Sequence, residues 1–585
     1  MKARATQDAA PNRVNPAFDP NRRAVLLGVL FSVAFLVGVV QSPVLSAQAL
    51  SYDDDEFLTS NPLVQNPSWD SATRFASEVL EPSTVRGYYA PLTMISLMFD
   101  YGMGGRATDL RVFHRTNLAL HLLSTMALVW LIYALTGHLL AAALLGALFG
   151  VHPLVVEPLA WIAERKTLLA TFFALASLLS YVRHTTGDAP RARWISLVAM
   201  ILACLAKPTA IVIPGLMIGL DLWPLSRLIA DRQLNLSVFV EKIPLFAVSA
   251  VFTVITLISH QRTVGLEVAQ DGLITRGLTA IHLIVFYLGK VAWPVDLSSV
   301  YLLPDPITLA DPTILTSIAA LTVLTFAVLW VARAGVLAPL AGLAVFVIGL
   351  SPTLGGLRYS WVTASDKYVY LPALGLTLVG AWAFARIWSV DGTRQPILRV
   401  ALGVLVAVLF VAETRTSRAQ LAHWQTTEAL YRHMMSLTPQ FPLIHLNLGE
   451  HLLANGRVEE AVRLFYRAIE IEPGYAKAHN NLGVVFWSAR QPDRALSHLT
   501  QAVSADPKLA KAHSNLGIAY NGMRRPVEAL ASFERALALD PRDPQSHCGA
   551  ALSHILLGRP QTARPHYETS LRLAPGCKLP PGSLP

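Results

Sequence analysis

Arg23-Ala24-Val25-Leu26-Leu27-Gly28-Val29-Leu30-Phe31-Ser32-Val33-Ala34-Phe35-Leu36-Val37-Gly38-Val39-Val40 carries one charge, at its first residue. A helix of this length suffices for the ~30 Å of hydrocarbon in a bilayer. Runs of the same kind recur to about residue 414, and the whole chain of 585 residues is 53% hydrophobic. Its mean hydropathy is +0.45, which excludes an ordinary soluble protein of this size. The expected spans are near 24–41, 113–135, 139–157, 168–183, 194–206, 209–225, 241–258, 278–294, 312–332, 336–352, 368–385 and 397–413. Arg183, Arg191 and Arg193, then Arg227 and Arg232, then Arg386, Arg394 and Arg399 mark cytoplasmic loops. The loop 295–311 has Asp296, Asp305 and Asp311 but no Lys or Arg, and reads as external. These marks conflict with twelve simple spans. One segment between 194 and 294 is therefore expected not to cross fully, giving about eleven spans with the C-terminus outside.

Lys2, Arg4, Arg13, Arg22 and Arg23 precede the first span and place the tail 1–23 in the cytoplasm. Ala47-Gln48-Ala49 resembles a signal-peptidase site, but the run is long for a signal core, and an uncleaved span is expected. Net charge is +9, and no basic-aromatic stretch argues for nucleic acid. Cys548 and Cys577 can pair, though their spacing does not demand it, and no cysteine spacing fits a metal site.

The polytopic domain is expected over 24–414, a linker with a capping helix over 415–441, and a tail at 576–585. Between linker and tail lies a repeat. Pro439, Pro473, Pro507, Pro541 and Pro575 recur every 34 residues, as do Leu448-Gly449, Leu482-Gly483 and Leu516-Gly517. This is the tetratricopeptide (TPR) period, and it predicts four repeats over 442–575 stacked as an α-solenoid with a concave face. His445, His479, His513 and His547 keep the period too. A metal reading fails because successive copies lie a repeat apart. A packed ring in the same slot of each repeat is the expectation.

Polar residues inside the membrane region are costly and often functional. Directly after the first span, in the long loop 42–112, comes Tyr52-Asp53-Asp54-Asp55-Glu56-Phe57. The alternatives are a solvated acidic loop or acids that hold a proton or cation for chemistry. His114, Asn117 and His121 share one helix face; interhelical bonding is the structural alternative. The block from His152-Pro153 through Glu157 and Trp161 to Glu164-Arg165-Lys166 puts acids, bases and an indole at one interface. Arg165 and Lys166 suit a phosphate, against simple interfacial anchoring. Asp366-Lys367 opens a late segment, paired with each other or serving the same site.

Together these motifs resemble the transmembrane and TPR-containing O-mannosyltransferase-like family, of the C-type (GT-C) glycosyltransferases. The resemblance rests on the aromatic-Asp-Asp start with Phe57 and Asn61, the Tyr89-to-Thr93 element, the His114 face, the 152–166 block, Lys207-Pro208 and the segment 366–372. Two departures stand out: Ala90 replaces a basic residue, and Lys367 an arginine. The resemblance implies an all-α, GT-C-type membrane domain and inverting transfer of a mannose-like sugar from a polyprenyl-phosphate donor to a hydroxyl, naturally protein Ser/Thr. It puts the acid pair on Asp53 and Asp54, with Asp53 as general base. Arg165, Lys166, His152 and Lys367 are the candidates for donor phosphate. Glu157, Glu164, His114, Asn117, His121, Asp366 and Tyr89 would support them. A divalent cation (Mg or Mn) on Asp53 and Asp54 stays open. The TPR groove would dock an acceptor protein or a partner. The implied location is a bacterial inner membrane with catalytic loop and repeats periplasmic, or an ER membrane with lumenal repeats. Two other classes stand beside this one: a non-catalytic membrane-anchored TPR scaffold, which need not keep intramembrane acids and bases, and a transporter, for which no two-fold repeat is visible.

Overall fold

The computed structural model describes residues 16–50, 53–78, 85, 89–187, 189–230, 233–263, 272–354, 362–389 and 395–580. The aromatic Tyr52 of the acidic motif and the marks Lys2, Arg4, Arg13, Arg232 and Arg394 lie outside the described residues. The chain divides into two compact units, Met1–Leu430 and Tyr431–Pro585.

The first unit is helical, with one short antiparallel pair, Ile229–Ala230 against Gln233–Leu234. Six of the described helices are long and apolar enough to cross a membrane: Pro20–Ser46, Arg111–Thr136, Ile243–Arg262, Leu273–Ala292, Pro312–Arg333 and Gln395–His423. A seventh candidate is the pair Leu139–Val151 and Pro153–Ala160, bent by 56°. Pro153 explains the bend: it cannot donate into the preceding helix, and it suits the first position of a new one. Shorter apolar helices cover Ala192–Ala206, Pro208–Leu222, Ala338–Thr353 and Ala373–Trp388. The break at Lys207-Pro208 has the same cause. The expected span 168–183 belongs to the Arg165–Thr186 helix, and the last long helix continues past Thr414 to His423, into the expected linker.

Leu128, Val129, Leu131 and Ile132 of the Arg111–Thr136 helix join a buried apolar core with residues of the first helix and of Arg165–Thr186. The opposite end of the Arg165–Thr186 helix is tied by a polar knot. The Tyr181 hydroxyl lies 2.7 Å from Asp221 and 2.9 Å from Glu241, Lys242 pairs with Asp221 (2.5 Å), and Arg227 pairs with Glu241 (2.8 Å). The Pro91–Gly102 helix opens with Pro91, in the first loop.

The second unit holds four helix pairs: Pro442–Ala454 with Val458–Ile471, Ala476–Ser488 with Pro492–Ala505, Ala510–Gly522 with Pro526–Leu539, and Pro544–Leu556 with Pro560–Leu573. The periodic prolines fall just after the second helices. A Cβ at Gly449 would meet the Phe465 ring at 2.6 Å, and at Gly483 the Leu499 side chain at 2.5 Å. Only glycine lets the two helices of a repeat approach so closely. The periodic histidines act as latches. The Nε2–H of His445, His479, His513 and His547 donates to the carbonyl of Pro439, Pro473, Pro507 and Pro541, six residues back, at 2.9–3.1 Å. Cys548 and Cys577 form a disulfide.

Candidate functional site

The acidic run does not behave as a single cluster. It folds into a tight turn, Asp55–Thr59, in which the Phe57 amide donates to the Asp53 carbonyl (3.0 Å). Asn61 pins this turn from outside. Its amide donates to the Glu56 carbonyl (2.7 Å), and its oxygen caps the next helix at Leu63 and Val64. Asp55 accepts from the Thr59 hydroxyl. Asp54 is only 1% exposed and accepts the Ala163 amide (3.1 Å), so it fastens the turn to the 162–164 segment. Asp53 is different. Its side chain is 34% exposed and lies 3.5 Å from Lys166.

Lys166 is 2% exposed, its ammonium 4.6 Å above the ring of buried Phe57 and 3.2 Å from Glu164. Glu164 is the hub of the site. It lies 3.3 Å from Lys207 and 3.3 Å from Lys367, and accepts from the Thr167 hydroxyl (2.5 Å). Lys207 also donates to Thr167 (2.7 Å). Lys367 rests 3.9 Å over the Trp161 ring and 3.8 Å from Glu157. Glu157 accepts from the Ser365 hydroxyl (2.8 Å) and the Lys367 amide (2.9 Å), which orients the late segment. Three lysines thus stand against two glutamates inside the site, and Asp53 is at its edge.

Burial alone would raise the Glu164 carboxyl, but Lys166, Lys207 and Lys367 outweigh it and hold it well below the carboxylate range. Burial alone would lower Lys367, but Glu164 and Glu157 outweigh it and raise it above the ordinary lysine range. Both groups are therefore charged at neutral pH. Asp366 is pushed well above its ordinary range by burial and by Glu157, and it accepts the Tyr301 hydroxyl (2.6 Å).

Other expected site residues lie elsewhere or are fully engaged. Arg165 is buried and pairs with Asp100 (2.5 Å); it also donates to Asn117 (2.8 Å) and to the Phe113 carbonyl (2.8 Å). Its guanidinium is held by protein groups on all three nitrogens, which argues against the expected phosphate contact. His152 donates to the Val291 carbonyl (3.1 Å) and accepts the Leu154 amide (3.2 Å), so both its nitrogens are occupied and it too leaves the phosphate set. His114, Asn117 and His121 are buried on one face, as expected. They bond to Ala47, Leu159, Gly150 and Tyr370, joining the helix to its neighbours. Tyr89 donates to the Ala76 carbonyl (2.8 Å), within the first loop. Lys207 was legible as part of Lys207-Pro208 but not as a site residue. A lone lysine inside an apolar run is the signal that points to it.

A multi-pass helical membrane protein with a buried lysine-glutamate site and a TPR array is the class so defined. Tetratricopeptide-repeat family models match residues 441–508 and 510–543. The chain is similar to Protein O-mannosyl-transferase F38B6.6 of Caenorhabditis elegans, at 24% identity over 72% of this chain and 59% of that one. It is similar to Protein O-mannosyl-transferase Tmtc1 of Drosophila melanogaster, at 25% over 68% and 55%. It is similar to Protein O-mannosyl-transferase TMTC4 of Homo sapiens, at 24% over 73% and 65%. The crystal structure of MamA protein aligns with 26% of this chain and 87% of its own, at 18% identity and a TM-score of 0.23. The chain carries a TPR array and is similar over about 68–73% of its length to proteins named protein O-mannosyl-transferase, and its matched region spans 55–65% of the length of those three relatives.

Proposed function

We propose that this protein is a membrane glycosyltransferase that moves a mannose-like sugar from a polyprenyl-phosphate donor to a hydroxyl of an acceptor polypeptide. The observation that carries the reading is the pairing of one half-exposed carboxylate, Asp53, with three lysines gathered on Glu164. Asp53 takes the proton as the acceptor oxygen attacks the anomeric carbon. The bond from that carbon to the phosphate oxygen breaks, and the sugar inverts. The leaving polyprenyl phosphate carries its charge toward Lys166, Lys207 and Lys367, whose attraction is strengthened by burial. Glu164 keeps these ammonium groups together. Asp54 positions Asp53 by fixing the turn.

A divalent cation bound by both aspartates does not fit these residues. Asp54 is spent on the Ala163 amide, Asp53 leans on an ammonium, and no group of three His, Cys, Asp or Glu among the described residues is arranged to hold a metal. No step is routed through one. Transfer in membranes is expected to survive chelation by EDTA; loss on EDTA, restored by Mg or Mn, contradicts this part. The disulfide supports placing the repeats in an oxidising compartment, periplasm or ER lumen. The TPR array supports a polypeptide acceptor or partner.

A further inference from the structure

The latch histidines of repeats two and four each face a second histidine, 19 residues on, in the other helix of the same repeat. His479 Nδ1 lies 3.1 Å from His498 Nδ1, and His547 Nδ1 lies 3.1 Å from His566 Nδ1. Repeats one and three have Leu464 and Ser532 in the second histidine's place. A carbonyl only accepts, so the Nε2 that reaches the proline carbonyl carries the proton. The Nδ1 of each neutral latch ring is then a lone pair. It either accepts an N–H from the facing ring or shares a cation with it. The surroundings separate the two pairs. The Tyr466 hydroxyl lies 3.5 Å from His498 Nε2, Phe486 stacks on His498 at 5.5 Å between centroids, and Arg494 donates to Tyr466 (3.2 Å). Two repeat periods on, the same three places hold Glu534, His554 and Thr562. A phenol, an apolar ring and a guanidinium give way to a carboxylate, an imidazole and a hydroxyl, and each exchange favours a bound cation. The His554 ring lies 5.7 Å from that of His566, and its Nδ1 is buried with no hydrogen-bond partner among the described residues. Glu534 acts electrostatically on both His554 and His566, while Arg559 opposes it at His554.

We propose that repeat four binds a divalent transition-metal ion, Zn(II) or Cu(II), on the Nδ1 atoms of His547 and His566, with His554 as a third ligand. Imidazole suits both metals. Two nitrogens at about 2.0–2.1 Å from one ion stand ~2.9 Å apart at a right angle and ~3.3 Å apart at the tetrahedral angle. The observed 3.1 Å falls between these. All three histidines are half-buried, so an ion from solvent reaches them. No three ligand side chains among the described residues converge as they stand. The pair therefore binds first, a turn of the His554 ring supplies the third nitrogen, and water completes the shell. The ion links the two helices of the last repeat, beside the disulfide at Cys548. Repeat two keeps its hydrogen bond and takes no ion. The site is separate from the lysine-glutamate site and stands whether or not the chain transfers sugar.

The test uses the full chain in detergent, without a histidine tag, stripped with EDTA and titrated with Zn(II) against a fluorescent chelator. The expected result is one tight Zn(II) site per chain. His566→Ser installs the residue that repeat three carries at this place, and it should weaken Zn(II) by about a hundredfold or more, at least the loss of an outer-shell partner. His554→Phe installs the residue of repeat two and should weaken it by about tenfold. His498→Ser should leave it unchanged. Absence of Zn(II) binding by the parent leaves only a hydrogen bond between His547 and His566 and overturns the proposal. Equal binding by parent and His566→Ser overturns it as well, and so does a loss on His498→Ser in its place. A second measurement needs no variant. Cu(II) with ascorbate and oxygen oxidises the side chains that hold the metal, and peptide mass spectrometry locates them. Oxidation is expected at His547, His554 or His566 and not at His479 or His498. Oxidation confined to other residues overturns the proposal even if every variant fails to fold.

Discussion

Arg165 and Lys166 are adjacent in sequence and opposite in meaning. Arg165 is buried against Asp100, and its removal leaves that carboxylate uncompensated, at a cost of about 3–5 kcal/mol. Arg165→Ala is therefore expected to yield little folded protein. Lys166→Ala is expected to fold and to lose about a hundredfold or more in transfer, since it faces Asp53 and Glu164. Size-exclusion profiles and transfer rates of the two variants, measured side by side, decide the matter; the reverse pattern would put the phosphate on Arg165. The sequence marked both residues as cationic and could not separate them, because the partner that claims Arg165 lies far away at Asp100. The same holds for Asp53 and Asp54. Their motif is visible in sequence, while their division of labour depends on the Ala163 amide. Lys207 is the converse case: it joins the site through Glu164, a contact that spacing alone does not reveal.

Among the elements, the repeats were the most legible. Each TPR helix pair is local, so proline, glycine and small residues at fixed period suffice to define it. The membrane helices were legible by length and apolar content, and the break at Lys207-Pro208 falls between two expected spans, but the bend at His152-Pro153 divides the expected span 139–157, which composition alone reads as continuous. The disulfide was open in the sequence because Cys548 lies inside a helix and Cys577 in the tail, and only the fold brings them together. Closing a loop with a sequence separation of 29 is expected to stabilise the last repeat by up to about 3.6 kcal/mol. Cys548→Ser with Cys577→Ser should lower the unfolding midpoint of the array in denaturant. An unchanged midpoint, with the thiols shown to be paired in the parent, would contradict it.

For the whole molecule, acid should loosen the repeats. Burial, then His479 and Arg494, lowers the proton affinity of His498; burial, then His547 and His554, lowers that of His566. The unfolded chain therefore takes up these protons first as pH falls. The stability tied to neutral rings is present above the ordinary histidine pKa of about 6.5 and is lost as pH drops below it. Thermal melting of the 431–585 unit, followed by circular dichroism, should fall between pH 7 and 5, and His498→Asn with His566→Asn should flatten the slope. A flat profile in the parent would contradict this. Glu164, held low by its lysines, and Lys367, held high by its glutamates, keep their charges across the same range. Both units thus serve one account, in which lysines around Glu164 receive a phosphate while Asp53 receives a proton. Its most direct test is sugar transfer in membranes from labelled polyprenyl-phosphate mannose, wild type beside Asp53→Asn. The account predicts that the variant is inserted and folded but slower by about 10²–10⁴-fold. Equal transfer by both proteins would contradict it.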